Sequence, residues 1–280
     1  MPRPMRRRRP GESGFVLVAV LWLGVALALA ASGFLSDTRR ASYRVRAEVG
    51  TAAAMEMARS ALNLALADLA RPKGTNRNPR DGTATSMVVP GGTVRFSIRD
   101  EKGKIDLNRT RPSFLAAALA QLGGRGLDAL DHASLADRLL KAARDAREAG
   151  TAPSLAELLA DVGLAPEVAA RASLVMTLHS YTARVNPQTA PAEVLSAVPE
   201  LNADEVAGIL DARRYREPLP SLGRAQGAFI QSEGPVYSIH ATGRTEAGIT
   251  ATMTAMVMAE GRTLRTGRMR FRVLEMRIAR

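Results

Sequence analysis

The sequence predicts an α+β protein: a long N-terminal helix, partly transmembrane, lies on an antiparallel sheet whose strands are separated by a large all-helical domain. Three observations carry that expectation. Phe15 to Leu35 is an uncharged apolar run, and alternating apolar and polar residues appear both near residue 95 and after residue 236. Between the two alternating regions, from Pro112 to about Ile230, apolar residues recur at spacings of three and four.

The apolar run fixes the N-terminal organisation. At about 1.5 Å per residue its length comes to roughly 31 Å, against a hydrocarbon core about 30 Å thick. Met1 to Gly14 carries Arg3 and Arg6 to Arg9 against the single acid Glu12, which predicts a cytoplasmic N-terminus and an exported remainder. A secretory signal cut after Ala28-Leu29-Ala30 is the alternative. Such signals have apolar cores of about 7 to 15 residues, shorter than this one.

The formal charge of +12 invites a nucleic-acid reading, but it is concentrated at the ends. The leader supplies five Arg, and residues 261–280 supply seven Arg against Glu275. Basic termini favour topology and tail effects over a basic binding groove. With no cysteine in the chain, disulfides, thiolate nucleophiles and cysteine-ligated metals are excluded.

In chain order, the leader spans 1–14 and the membrane helix 15–35. Residues 36–111 hold the continuing helix and the first strands. Apart from glycines such as Gly33 and Gly50, nothing interrupts the helical pattern from Phe15 to Leu69, and Leu62, Leu66 and Leu69 share one stripe suited to a sheet. A coiled coil is the alternative, but Val45, Val49, Ala52 and Leu62 keep no heptad. Residues 71–86 read as an exposed loop. Met87 to Val89, the Pro90-Gly91-Gly92 turn and the alternation of Val94, Phe96 and Ile98 predict a hairpin. Asp100 to Gly103 reads as a turn into an antiparallel strand over Lys104 to Asn108. Residues 112–230 form the inserted helical domain, with helices expected over Phe114–Leu122, Leu127–Ala146, Leu155–Val162, Pro166–Leu178, Pro191–Val198 and Ala203–Arg213. Residues 231–280 return to strands, at Val236 to Ala241 and Ile249 to Met258. The alternation of Met269, Phe271 and Val273 with Arg268, Arg270 and Arg272 suggests an edge strand.

Three features together carry a family resemblance: the junction Glu12-Ser13-Gly14-Phe15 after a basic leader, the run DEKGKIDLN at Asp100 to Asn108, and strands bracketing a helical block. The chain resembles the type II secretion minor pseudopilins of the general secretion pathway protein K family. The resemblance implies leader cleavage after Gly14 by the prepilin peptidase and N-methylation of Phe15. It also implies an inner-membrane, single-pass protein with its bulk in the periplasm, capping or initiating the pseudopilus. Its partners would be other minor pseudopilins and the inner-membrane assembly platform. Most pilins carry Glu at the fifth mature position, where this chain has Ala19; that omission is characteristic of protein K and suits a tip subunit. The family usually holds calcium in a loop of the helical domain. Here the corresponding stretch, Lys141 to Glu148, is basic and abbreviated, so the residues predict no cofactor.

The remaining motifs weigh against other classes. Val185-Asn186-Pro187-Gln188-Thr189-Ala190 and the two helices after it resemble a helix-hairpin-helix, but the hairpin Pro199-Glu200-Leu201-Asn202 lacks glycine and carries an acid. His132, His179 and His240 have no zinc spacing, and Gly123-Gly124-Arg125-Gly126 lacks the Lys-Ser/Thr of a phosphate loop. Asp128, Asp131, Asp137 and Asp145 are spread along helix. The expectation is a non-enzymatic structural subunit, without a metal or nucleic-acid site. The alternatives are a minor type IV pilin and a membrane-tethered DNA-uptake receptor.

Overall fold

The computed structural model describes residues 12–72, 75, 78–122, 131–262 and 269–279; the side chains of 12–17, 28, 30, 31, 33–39, 41 and 262 lie outside the described set. The chain divides into two compact units, Met1–Ala53 and Ala54–Arg280. In the first unit the backbone is helical from Glu12, the start of α1 (Glu12–Leu69). Val18, Leu21, Trp22, Leu23 and Leu27 are exposed there. Among the described residues no helix is long and apolar enough to cross a membrane. Much of the expected span, at 15–17, 28, 30, 31 and 33–35, lies outside the described side chains, as does the leader over 1–11.

The second unit mixes helix with antiparallel sheet. Its five-stranded sheet has the order β1 (Asp81–Val89), β2 (Gly92–Asp100), β5 (Val236–Thr245), β6 (Thr250–Arg262), β7 (Met269–Ala279), with every neighbouring pair antiparallel. In α1, Ala54, Ala58, Ala61, Leu62, Ala65 and Leu69 recur every three or four residues and bury one face on the sheet. Val94, Phe96, Ile98, Ile239, Met253 and Val257 meet them from alternate strand positions. Small residues bring helix and sheet close together. A Cβ at Gly243 would stand 2.5 Å from the backbone N of Ala58, so only glycine fits beneath the helix. At the helix end Arg80 Nη1 donates to Asp68 Oδ2 at 2.6 Å, both side chains buried, and ties α1 to the start of β1.

The hairpin turn between β1 and β2 uses Pro90 and Gly91, with Gly91 at φ +84°, the conformation a type II turn requires at its third position. The exposed loop expected over 71–86 is corrected in its second half: β1 begins at Asp81, because Asp81 and Ala84 to Ser86 pair with β2. The edge strand expected at the C-terminus is present and runs to Ala279. Its alternation changes phase at Leu274, where the ladder to β6 slips by one residue: Val273 pairs with Val257 and Glu275 with Met256. The apolar doublet Val273-Leu274 is the sequence trace of that bulge.

Between β2 and β5 the chain forms β3 (Ile105–Asp106), α2 (Pro112–Leu122), α3 (His132–Glu148), α4 (Leu155–Asp161), α5 (Pro166–Ala172), β4 (Met176–Thr177), α6 (Ala192–Ser196) and α7 (Ala203–Tyr215). These helices share a separate buried cluster in which Leu115, Leu119, Leu135, Leu139, Leu159 and Ile209 are fully enclosed. Two sequence expectations are corrected here. Lys104 to Asn108 does not pair antiparallel with β2; instead a 3-10 turn at Glu101–Gly103 redirects the chain, and Ile105 and Asp106 pair parallel with Met176 and Thr177. The helix expected over Pro166–Leu178 stops at Ala172, since Val175 to Thr177 are drawn into that ladder.

Candidate functional site

The run Asp100 to Asn108 makes a polar junction between the sheet and the helices. Asp100 caps the 3-10 turn by accepting from the Lys102 N–H at 3.0 Å, and it also accepts from Gly234 N at 3.1 Å and Asn186 Nδ2 at 3.3 Å. Burial pushes its carboxyl above the ordinary 3.8, and these three donors only partly oppose the rise. Glu101 is 1% exposed and pairs with Lys104 Nζ at 3.0 Å, while Ser238 Oγ on β5 donates to the same carboxylate. Burial raises the Glu101 carboxyl too. The Lys104 ammonium and the bonds from Ser238, Thr177 and Lys104 outweigh it, leaving the group below the ordinary 4.5. Asp106 accepts from Asn108 N at 2.9 Å, Tyr181 N at 2.7 Å and Ser180 Oγ at 3.2 Å, which pins the segment after β4.

The second motif of the sequence, around Asn186, meets the first. Asn186 N donates to Lys102 O at 2.7 Å, and its Oδ1 accepts from Gln188 N at 3.0 Å. Gly103 faces the same segment so closely that a Cβ there would stand 2.5 Å from Thr189 O. Beyond it, α6 and α7 follow in the chain and pack on each other. Asn202 and Glu205 close a capping box at the start of α7. Arg213 is likewise committed: its Nε donates to Pro187 O and its Nη1 to Ala190 O, each at 2.7 Å. Burial lowers that guanidinium to about 10, with Asp81 opposing and Arg99 adding to the fall.

On the sheet face turned away from α1, Ser238 and His240 floor a cavity of about 630 Å³, with Leu155, Leu159 and Leu174 on its helical wall. It brings His179 and His240 into one lining, together with Arg99 and Lys104. The walls withdraw water from His240, although its ring keeps exposed surface. Burial, followed by Lys104 and Arg99, lowers its pKa below the ordinary 6.5, and Glu101 partly opposes. Within the lining, Thr254 Oγ1 lies 3.2 Å from His240 Nδ1, and the Glu101 carboxylate is engaged by Lys104 and Ser238. Among the described residues no group of three His, Asp or Glu converges as metal ligands. The stretch Lys141 to Glu148 lies on α3, where Lys141 Nζ holds Asp145 Oδ2 at 2.6 Å. Asp131 caps α3 through the N–H groups of Ala133 and Ser134.

Of the residues singled out in sequence, Gly14 and Phe15 lie within the helical backbone of α1, with side chains outside the described set, and Asp128 lies outside the described residues. His132 opens α3, apart from the cavity shared by the other two histidines. Sequence reasoning missed the buried Glu101, Lys104 and Ser238 cluster. The Glu101 to Lys104 spacing of three was its only local signal, since Ser238 is brought in from β5.

No protein-family model matches the chain, and none of the curated proteins is similar to it. Among solved structures, the chain is similar to one chain of the crystal structure of the GspK-GspI-GspJ complex from the enterotoxigenic Escherichia coli type 2 secretion system. The sequence identity is 15%, the match covers 87% of this chain and 99% of that chain, and the TM-score is 0.47.

Proposed function

We propose that the chain is a minor pseudopilin of a type II secretion system, similar to protein K, that caps or initiates a short periplasmic pseudopilus. The observation that carries this reading is α1. The helix begins beside the Gly14-Phe15 junction and lays the face from Ala54 to Leu69 on an antiparallel sheet. The helices α2 to α7, which interrupt the chain between the neighbouring strands β2 and β5, support a tip position. Under this reading residues 1–14 are a leader removed after Gly14, Phe15 becomes the N-methylated terminus, and 15–35 anchor the protein in the inner membrane. The helical region 112–230 acts as a bulky head that obstructs addition of a further subunit. An apolar helix leaves lipid only by exchanging acyl-chain contacts for contacts with other helices. The partners are therefore other minor pseudopilins, with the prepilin peptidase and the inner-membrane assembly platform acting before assembly. The subunit is non-enzymatic and needs no cofactor.

Mass spectrometry of the membrane-extracted protein tests the reading. The expected species begins at N-methylated Phe15, and Gly14→Val accumulates the uncleaved precursor. A mature terminus near Ala31 would show an ordinary secretory signal and overturn the assignment.

A further inference from the structure

A groove of about 780 Å³ runs beside β7. Leu274, Glu275, Met276 and Arg277 line one wall, and the end of α3 with the 150–154 turn lines the other. Beyond the bulge Met276 and Arg277 point to opposite faces of the sheet, so a cavity touching both meets the strand from its side. β6 holds the other side, and the groove therefore follows the edge that no other described strand pairs, where a strand's backbone N–H and C=O groups face outward.

The side chains at this edge define what fits. On the face shared with α1, Val273, Met276 and Ile278 are 50%, 46% and 54% exposed, an apolar row that a further strand would extend. On the other face stand Arg270, Arg272 and Arg277. Glu260 lies 3.9 Å and 3.4 Å from the first two, and Glu275 pairs with the third. Across the groove Arg147 is exposed, while Glu157 is engaged by the Ser154 N–H at 2.7 Å. Arg270, Arg272 and Arg277 outnumber Glu260 and Glu275 at the described edge, so two copies brought edge to edge would meet with like net charge.

We propose that the β7 edge docks an extended segment of a partner protein, about six residues long at ~3.3 Å per residue. The segment adds a sixth strand and alternates apolar side chains with carboxylates. Main-chain hydrogen bonds to β7 supply the register, and the Arg row selects the acidic positions. This goes beyond the secretion role, because the recognition chemistry is assigned without reference to it.

The test titrates the full-length chain, in detergent micelles, with three fluorescent seven-residue peptides. One alternates Val with Glu, one alternates Val with Lys, and one is the Glu peptide N-methylated at alternate amides. The Glu peptide should bind with micromolar Kd and weaken at high salt, with the Lys and N-methylated peptides at least tenfold weaker. In the double variant Arg272→Glu, Arg277→Glu the preference should swap to the Lys peptide, a gain that misfolding would not produce. Equal binding of the Glu and Lys peptides, undiminished binding of the N-methylated one, or no binding up to millimolar concentration would overturn the proposal. So would self-association of the chain alone that Met276→Glu abolishes, since the edge would then belong to a second copy.

Discussion

Gly103→Ala adds a single methyl group at the point where the two sequence motifs touch. The new Cβ would stand 2.5 Å from Thr189 O, 2.6 Å from its carbonyl carbon and 2.9 Å from Ala190 N. All three are backbone atoms, so no rotamer change relieves the overlap and the 186–190 segment must move. Movement stretches the 2.7 Å bond from Asn186 N to Lys102 O and the 3.3 Å bond from Asn186 Nδ2 to Asp100. Overpacking costs about 1–3 kcal/mol, and weakening a buried hydrogen bond about 0.5–1.5 kcal/mol, so the total loss is about 2–4 kcal/mol. At roughly 2–4 °C per kcal/mol for a unit of this size, Tm falls by about 5–15 °C. Circular dichroism melts measure it, with Gly227→Ala as the control, because nothing lies within 4 Å of that added Cβ. Equal Tm values for Gly103→Ala and wild type would refute the close approach. An unchanged effect of Asn186→Ala in the Gly103→Ala background would refute the coupling between the motifs.

Lys104→Met should leave Glu101 buried without its cation and destabilise by about 3–5 kcal/mol, and adding Glu101→Gln should recover most of the loss; equal urea midpoints for the single and double variants would contradict the pairing. Because Glu101 is held below its ordinary 4.5, the folded chain binds fewer protons there than the unfolded one. Its stabilisation is therefore complete above pH 4.5 and is lost as pH falls through the folded-state value, so Glu101→Gln should flatten the acid limb of the stability curve. An acid limb identical to wild type would place the titration elsewhere. Melts of the full chain in chelator and in millimolar calcium should coincide, and a rise of several degrees with calcium would reveal a site that the spacing of the acids conceals.

Much of the architecture was legible wherever one periodicity dominates. The stripe at Leu62 and Leu69 pointed to a helix on a sheet, and the alternation of Val94, Phe96 and Ile98 gave the face that meets it. The apolar spacing of α2, α3 and α7 located those helices to within a few residues at their described ends. The partners of DEKGKIDLN were not legible. A turn followed by Ile105 and Leu107 has the local pattern of an antiparallel hairpin, and only the distant Met176 and Thr177 decide otherwise. The junction was hidden for the same reason: Asp100 is satisfied by Asn186 and Gly234, which no local window contains. Met176 and Thr177 were absorbed into a helix because a two-residue strand is too short to show a period.

The bond from Ser238 to Glu101 joins positions 137 apart in sequence, which gives the pairing of β2 with β5 a kinetic meaning. Bringing the ends of so long a flexible chain together costs about 4 kcal/mol of closure entropy on a (3/2)RT ln n scale. The intervening helices, with their own enclosed leucines, are built from contacts nearer in sequence, which form at lower entropic cost than the long-range ladder. Their prior collapse would shorten the effective loop, and the central strand pair is then expected to zip last. Until then the β1–β2 hairpin presents β2 as a bare strand edge, with Val94, Phe96 and Ile98 on one face, during synthesis from the N-terminus. In that interval the chain would expose a second strand edge, and with it a route to misassociation, besides the β7 edge that the folded protein keeps.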